Sequence, residues 1–461
     1  MTRSTALLSL GLALVAAFLP TPFAPGQPTS GDVIAAGTGA QPTVIRYDRS
    51  GSTVTATVAL STPALVGWVP GNNQQYPYVR DVVVDHDNVH AVGAVFDTPT
   101  SWLVRFDPMT GTVLGTLTHF AAPSPSVFHP YDVERDQDGG YILIGPKDEI
   151  WKVNAQGFPV TTLNLKAAYP AFPTAYDYIV DHEDGNALLF YPTDLFKLDR
   201  VTGSITAMYP ASVNHGASYQ MCQDYRTGHI LWGTGDGAQP SYCRGVMTVD
   251  LKSSPPAPTT LLGAPNCPVK DFHYAYGSRL DRQSAANPHL LFAGFGAWSG
   301  FGSVDLRAAP PQVHIHHFLN GEFSAYSLDV IGSVNLTSRL TAPDRWEISL
   351  SFPGFAGKGY VLALGLSGTH PGISVGGRRV NLLVDGLTQA SLRGLLAPYF
   401  SGNLGLLDPA GRGRAVLDLG PFKGSFHGRP FHFVALVLDP AAPGGVAVIS
   451  DPYLILPGAS L

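Results

Sequence analysis

The stretch Asp132-Val-Glu-Arg-Asp136-Gln-Asp-Gly139 ends a short strand in an aspartate, makes a polar turn and leads into the apolar run Tyr141-Ile-Leu-Ile144. An Asp at the start of such a turn accepts backbone N–H bonds, and a Gly or Asn at its end supplies the positive φ, so the segment is expected to be a β-hairpin. The same writing returns as Asp81-Val-Val-Val-Asp85-His-Asp-Asn88, as Asp177-Tyr-Ile-Val-Asp181-His-Glu-Asp-Gly185 and as Gln220-Met-Cys-Gln-Asp224-Tyr-Arg-Thr-Gly228. A degenerate fifth copy starts at Phe272-His273.

Between these copies stands a second hairpin signature: an apolar strand, an acidic or amide residue, a glycine turn and another strand. It is written Tyr47-Asp48-Arg-Ser-Gly51, Phe106-Asp107-Pro-Met-Thr-Gly111, Val153-Asn154-Ala-Gln-Gly157 and Leu198-Asp199-Arg-Val-Thr-Gly203, with weaker forms at Asp250 and Asp305. Two alternating hairpins in a period of about fifty residues make one four-stranded propeller blade. The chain is therefore expected to be all-β: a six-bladed β-propeller plus a C-terminal β-sandwich domain. The first blade, which includes Val33-Ile-Ala-Ala36, lacks an innermost strand, and a ring of sheets does not tolerate an open, unpaired edge. A segment near Phe323 to Leu328 is expected to return and supply it, the alternative being that this segment begins the next domain.

These hairpins resemble the blades of the NHL-repeat, gluconolactonase-like and virginiamycin B lyase-like propellers, over roughly residues 31–319. That resemblance lies in repeat grammar, which speaks to fold and hardly to function. After about Gly321 the period stops. Trp346-Glu-Ile-Ser-Leu-Ser-Phe352 and Phe431-His-Phe-Val-Ala-Leu-Val-Leu-Asp-Pro440 read as antiparallel strands. With a closing strand near Leu454, this tail resembles a β-sandwich module that ends many secreted bacterial proteins. The expected division is an export signal and linker start over 1–26, the propeller over 27–320 and the sandwich over 321–461, whose first strand is the one proposed to close the ring.

Composition agrees with many short strands and tight turns: only 13% of residues are charged, while Gly (51) and Pro (39) are abundant. The net charge of −6 and the lack of any Lys/Arg run argue against nucleic acid as a partner. Arg3 followed by the apolar run Ala6 to Leu19 reads as a secretory signal, too short to span a bilayer comfortably. No later apolar stretch is long enough for a membrane helix, so a secreted protein is expected, whether extracellular, periplasmic or at the cell surface.

Aligning the first-type repeats places Asp81, Asp132, Asp177, Gln220 and His273 at one mouth of the central channel, mostly preceded by an aromatic: Tyr131, Tyr176, Tyr219 and Phe272. Carboxylates converging on one axis repel unless protonated, hydrogen-bonded or bridged by a cation. One reading is a Ca²⁺ or other divalent cation in the central channel, held by Asp81, Asp132, Asp177 and His273, since hard ions take several oxygen ligands. The plainer reading is that these groups hydrogen-bond strand starts. The resemblance to gluconolactonase-like propellers implies a catalytic metal at this place, and that to virginiamycin B lyase-like enzymes makes His215 and His273 the catalytic candidates. Tyr131, Tyr176, Tyr219, Phe272 and Gln220 are the candidate ligand contacts.

Cys243 and Cys267 fall in two links on the channel-mouth face, which in an exported protein favours a disulfide between them, with Cys222 as a buried thiol. Gly372-Ile-Ser374-Val-Gly376 matches a nucleophile elbow in letters, but an alternating strand follows where that motif needs a helix. His314-Ile-His316-His317 falls on an outer strand, far from the channel. With no complete catalytic set, the leading expectation is a secreted, non-catalytic binding protein that holds a small molecule, glycan or peptide on the channel-mouth face. A metal-dependent lactonase or lyase is the rival, and a structural cell-surface protein the third reading.

Overall fold

The computed structural model describes residues 33–37, 42–47, 54–61, 78–97, 100–120, 130–145, 148–172, 175, 177–191, 194–209, 220–233, 246–253, 256, 258–262, 275–281, 289–294, 300–306, 312–318, 325–330, 334–422 and 424–461. The expected signal segment, Cys243 and Cys267 lie outside these residues, so the disulfide does too. Among the described residues no helix is long and apolar enough to cross a membrane.

Six four-stranded antiparallel sheets follow one another along the chain. The second to the sixth begin with the innermost strands Tyr78–Val84, Asp132–Arg135, Asp177–Val180, Met221–Asp224 and Ala275–Asp281, and each runs outward strand by strand. In the first sheet the innermost strand comes from the far side of the sequence: Ala325–Val330 pairs antiparallel with Val33–Gly37, Ile34 opposite Asp329. Each innermost strand contacts the next, and Ala325–Val330 touches both Ala275–Asp281 and Tyr78–Val84, so the ring is closed. The fold is an all-β propeller of six blades.

Successive strand residues point to opposite faces of a sheet, and here each face meets a neighbouring blade. In the strand Ala91–Asp97, Ala91 and Val95 pack with Ile34 and Val44 of the first sheet, whereas Val92 and Ala94 pack with Val133 and Leu143 of the third. Both faces are buried, which is why the strands read as continuous apolar runs. Burying each Val, Leu or Ile side chain contributes roughly 1.5–3 kcal/mol.

The turn glycines follow the sequence logic. Gly139, at φ 90°, closes a turn in which its N–H bonds to the Asp136 carbonyl at 3.1 Å. A Cβ on the next residue, Gly140, would lie 2.0 Å from the Val153 carbonyl oxygen, so the turn and the strand beyond it approach too closely for any side chain.

The tail forms two sheets packed face to face. Trp346, Ile348 and Leu350 of one sheet share a core with Tyr360, Leu362, Leu364, Phe431, Phe433 and Val437 of the other. The strand Phe431–Leu438 is buried along its whole length because its second face is covered as well, by Val375, Val380 and Leu382. Ser374 lies in a small hairpin, Ile373–Val375 turning through Gly376-Gly377 into Arg378–Val380, so no strand–turn–helix elbow exists there.

The first-type hairpin turns of several blades carry the tail. Gln137 makes a two-way amide pair with Leu456, donating to its carbonyl at 2.9 Å and accepting its N–H at 2.8 Å. His432 Nε2 donates to the His182 carbonyl at 2.7 Å, and Asn88 accepts the Val334 N–H at 3.0 Å. Leu461 sits in the core between the third and fourth blades, and the buried Arg200 donates to its carbonyl oxygen.

Candidate functional site

The axial side chains form a ladder that ties each blade to the next. Ser327 accepts the Val82 N–H at 2.9 Å, Asp81 accepts that of Val133 at 2.6 Å, Asp132 that of Tyr178 at 2.9 Å, and Asp177 that of Met221. In every case the donor is the residue after the next blade's own acceptor, which is what rotational repetition about one axis requires. Each bond satisfies a buried amide that the innermost strand, having no further strand inside it, would leave orphaned.

Gln220 breaks the pattern. Its Oε1 accepts the Leu328 N–H at 3.2 Å, and its Nε2 donates to Asp81 Oδ1 at 3.3 Å. The fifth-sheet amide thus reaches past the sixth sheet to the first and second. Register explains how: Asp281 opposes His289 as Asp224 opposes His229, so the sixth-blade counterpart of Gln220 is Gly277, four residues earlier. A glycine puts no side chain at that repeat position. His273, expected at this place, stands four residues further back and lies outside the described residues. Seven residues separate the paired Asp281 and His289 of the sixth blade, against four between Asp224 and His229 of the fifth.

Burial raises the Asp132 carboxyl well above the ordinary carboxylate range, with the negative charges of Asp177 and Asp81 adding to it. Asp81 is raised too, first by burial. Asp132 Oδ1 is buried and has no donor among the described residues. A proton on Asp132 shared with Asp81 accounts for both facts, because it removes the repulsion and gives the orphaned oxygen a partner.

Of the four residues expected to hold a divalent ion, Asp81, Asp132 and Asp177 are described and His273 lies outside the described residues. Each carboxylate already accepts a backbone N–H, and among the described residues no group of three or more His, Cys, Asp or Glu is placed to hold one.

Of the aromatic rim, Tyr131 is described: it is partly buried, and the Arg80 guanidinium sits over its ring at 4.9 Å from the centroid. Gln220, expected to face a ligand, is 2% exposed and plugs the channel. Tyr176, Tyr219, Phe272 and His215 lie outside the described residues. Cys222 is buried in its strand, its sulfur 3.9 Å from the Leu231 carbonyl oxygen.

A repeated charge pair escaped the sequence reading. Arg105 pairs with Asp85 and Asp87, Lys152 with Asp136 at 2.9 Å and Asp138 at 2.7 Å, and Lys197 with Asp181 at 3.3 Å and with Asp184. The signal was present two residues before three of the second-type Asp or Asn residues, in Arg105-Phe-Asp107, Lys152-Val-Asn154 and Lys197-Leu-Asp199. Each cation comes from the third strand of its blade and neutralises the acidic turn between the first two. Burial opposes ionisation of Asp136, yet Lys152 and Arg200 hold its pKa below the ordinary value.

No family model matches the sequence, and no curated protein matches it. Among solved structures the chain is similar to a nidogen/laminin complex, with 11% identity, a TM-score of 0.44, and coverage of 65% of this chain and 98% of that one. It is also similar to a protein described as a 6-phosphogluconolactonase from Bacteroides fragilis, with 11% identity, a TM-score of 0.40, and coverage of 67% and 100%. At this level of similarity neither neighbour says anything about the activity of this chain.

Proposed function

We propose that this chain is a secreted, non-catalytic binding protein that holds a small molecule, glycan or peptide on the face of the propeller around Tyr131, with the sandwich as attachment or spacer. The observation that carries this reading is the employment of the axial carboxylates: Asp81, Asp132 and Asp177 each hold the neighbouring blade, and Gln220 closes the channel they line. Groups fixed in this way join sheets together and are poorly placed to move protons for a substrate. The partly exposed Tyr131 ring, backed by the buried Arg80 guanidinium, offers a flat aromatic contact suited to sugar rings.

The test is a ligand survey on the purified mature protein by thermal shift, with a glycan and peptide array, alongside metal analysis and chelator treatment. A saturable ligand whose affinity drops in Tyr131→Ala, with a thermal midpoint indifferent to chelator, supports the reading. Lactone hydrolysis or lyase turnover that needs a divalent ion and disappears in Asp132→Asn would overturn it.

A further inference from the structure

At the opposite end of the plugged channel, between the ends of the innermost strands and the tail, lies a cavity of about 180 Å³. At roughly 10–15 Å³ for each water-sized atom, it has room for about a dozen such atoms. Its ionisable lining is Glu134 and Arg135 of the third blade, His182 and Arg200 of the fourth, Asp329 of the first and Asp451 of the tail, while Ile179 and Leu454 add apolar surface.

These groups are already matched. Arg135 donates through Nη1 to Asp329 at 2.9 Å, and Asp329 also accepts the N–H groups of Val84 and Val330, each at 2.9 Å. Arg200 donates to the Leu461 carbonyl and, at 3.3 Å, to Asp136, while His182 Nε2 pairs with the Tyr225 hydroxyl at 3.0 Å. Glu134 and Asp451 have partners as well. An ionic ligand entering this space gives up water and finds no counter-ion that lacks a partner of its own.

What the wall has to spare is hydrogen-bonding capacity. The Nε and Nη2 groups of Arg135 make no hydrogen bond among the described residues, and together they form the edge of the guanidinium that donates side by side to two neighbouring oxygens. A carboxylate carries about four lone-pair sites, so Glu134 and Asp451 accept further O–H groups without giving up the partners they have.

We propose that this cavity binds a neutral sugar of hexose size, with two adjacent hydroxyl oxygens on Arg135, other hydroxyl groups donating to Glu134 and Asp451, and its C–H surface toward Ile179 and Leu454. A hydroxyl both donates and accepts, so a polyol meets this wall without bringing in a charge that the wall has nothing left to balance. The site lies away from Tyr131 and is independent of the binding proposed there.

Thermal-shift screening of the full chain with neutral monosaccharides is followed by calorimetric titration. With glucose as the hit, glucuronate adds a carboxylate and glucosamine an ammonium. The expected result is saturable binding of glucose, with a loss of roughly tenfold or more for either analogue. Arg135→Lys keeps a charge opposite Asp329 but not the paired donors and lowers affinity by a similar factor, whereas Tyr131→Ala leaves it unchanged. Where Arg135→Lys does not fold, hydrogen exchange on the parent protein decides: bound glucose slows exchange along Tyr453–Ile455. The proposal is overturned if no neutral sugar binds saturably, if glucuronate or glucosamine binds as tightly as glucose, if Arg135→Lys folds and binds as the parent does, or if bound glucose leaves that exchange unchanged. A loss in Tyr131→Ala alone would put the sugar on the rim, which overturns this site and sustains the function proposed for that face.

Discussion

Asp132 Oδ2 accepts the Tyr178 N–H at 2.9 Å across the junction of the third and fourth blades, while its equally buried Oδ1 faces Asp81 with no other donor among the described residues. Because its folded pKa is raised, Asp132 contributes stability that is fully present below the ordinary value of 3.8 and is lost as pH rises through the folded value. Asp132→Asn keeps an acceptor for Tyr178 and replaces the shared proton with a permanent N–H donor to Asp81. It should raise the thermal midpoint at neutral pH by a few degrees and flatten the alkaline loss. Asp132→Ala leaves the Tyr178 amide unpaired and should cost about 1–3 kcal/mol, measured by denaturant unfolding.

The charge pairs of the third and fourth blades occupy one repeat position at different depths. The Lys152 side chain is 7% exposed and that of Lys197 23% exposed. Lys152→Met should cost about 2–3 kcal/mol, because Asp136 keeps only Arg200 as a cationic partner in a dry site. Lys197→Met should cost about 1 kcal/mol or less. Equal losses in equilibrium unfolding would show that depth is not what sets the strength of these pairs.

His432 is fully buried between the tail and the fourth blade, and burial lowers its pKa although the His182 carbonyl it donates to works the other way. The unfolded chain takes up a proton near 6.5 and the folded one only below that, so stability is complete above 6.5 and declines as pH falls toward the folded value. His432→Gln retains a donor for His182 and should flatten the stability profile in that interval. A profile identical to that of the parent protein would place the acid sensitivity elsewhere.

Gln137 binds both polar groups of the Leu456 backbone. Gln137→Ala strands a buried donor and a buried acceptor, which should cost about 2–4 kcal/mol and loosen the tail from the propeller. Hydrogen exchange should rise first along Tyr453–Ile455 and around Gln137, before any change in the innermost strands.

The blades were legible because their turns are local. Asp followed by a polar turn and Gly specifies a hairpin within a few residues, whatever lies elsewhere, and two kinds in alternation are enough to give the four-stranded sheets. The tail strands at Trp346 and Phe431 were legible for the same reason, from alternation or continuous apolarity in one short window.

The destination of the axial side chains was not local. That Asp81, Asp132 and Asp177 are aligned follows from the repeat, but that each holds the next blade's amide depends on residues some forty to fifty positions away. That Gln220 reaches Asp81 and Leu328 depends on residues more than a hundred positions away. Sequence by itself determined the sheets, because a turn needs only its own few residues. Tertiary structure alone decided what the carboxylates do, that the tail packs on the hairpin turns, and that a cavity of mixed charge lies beneath it, because those depend on atoms brought together only when the ring closes.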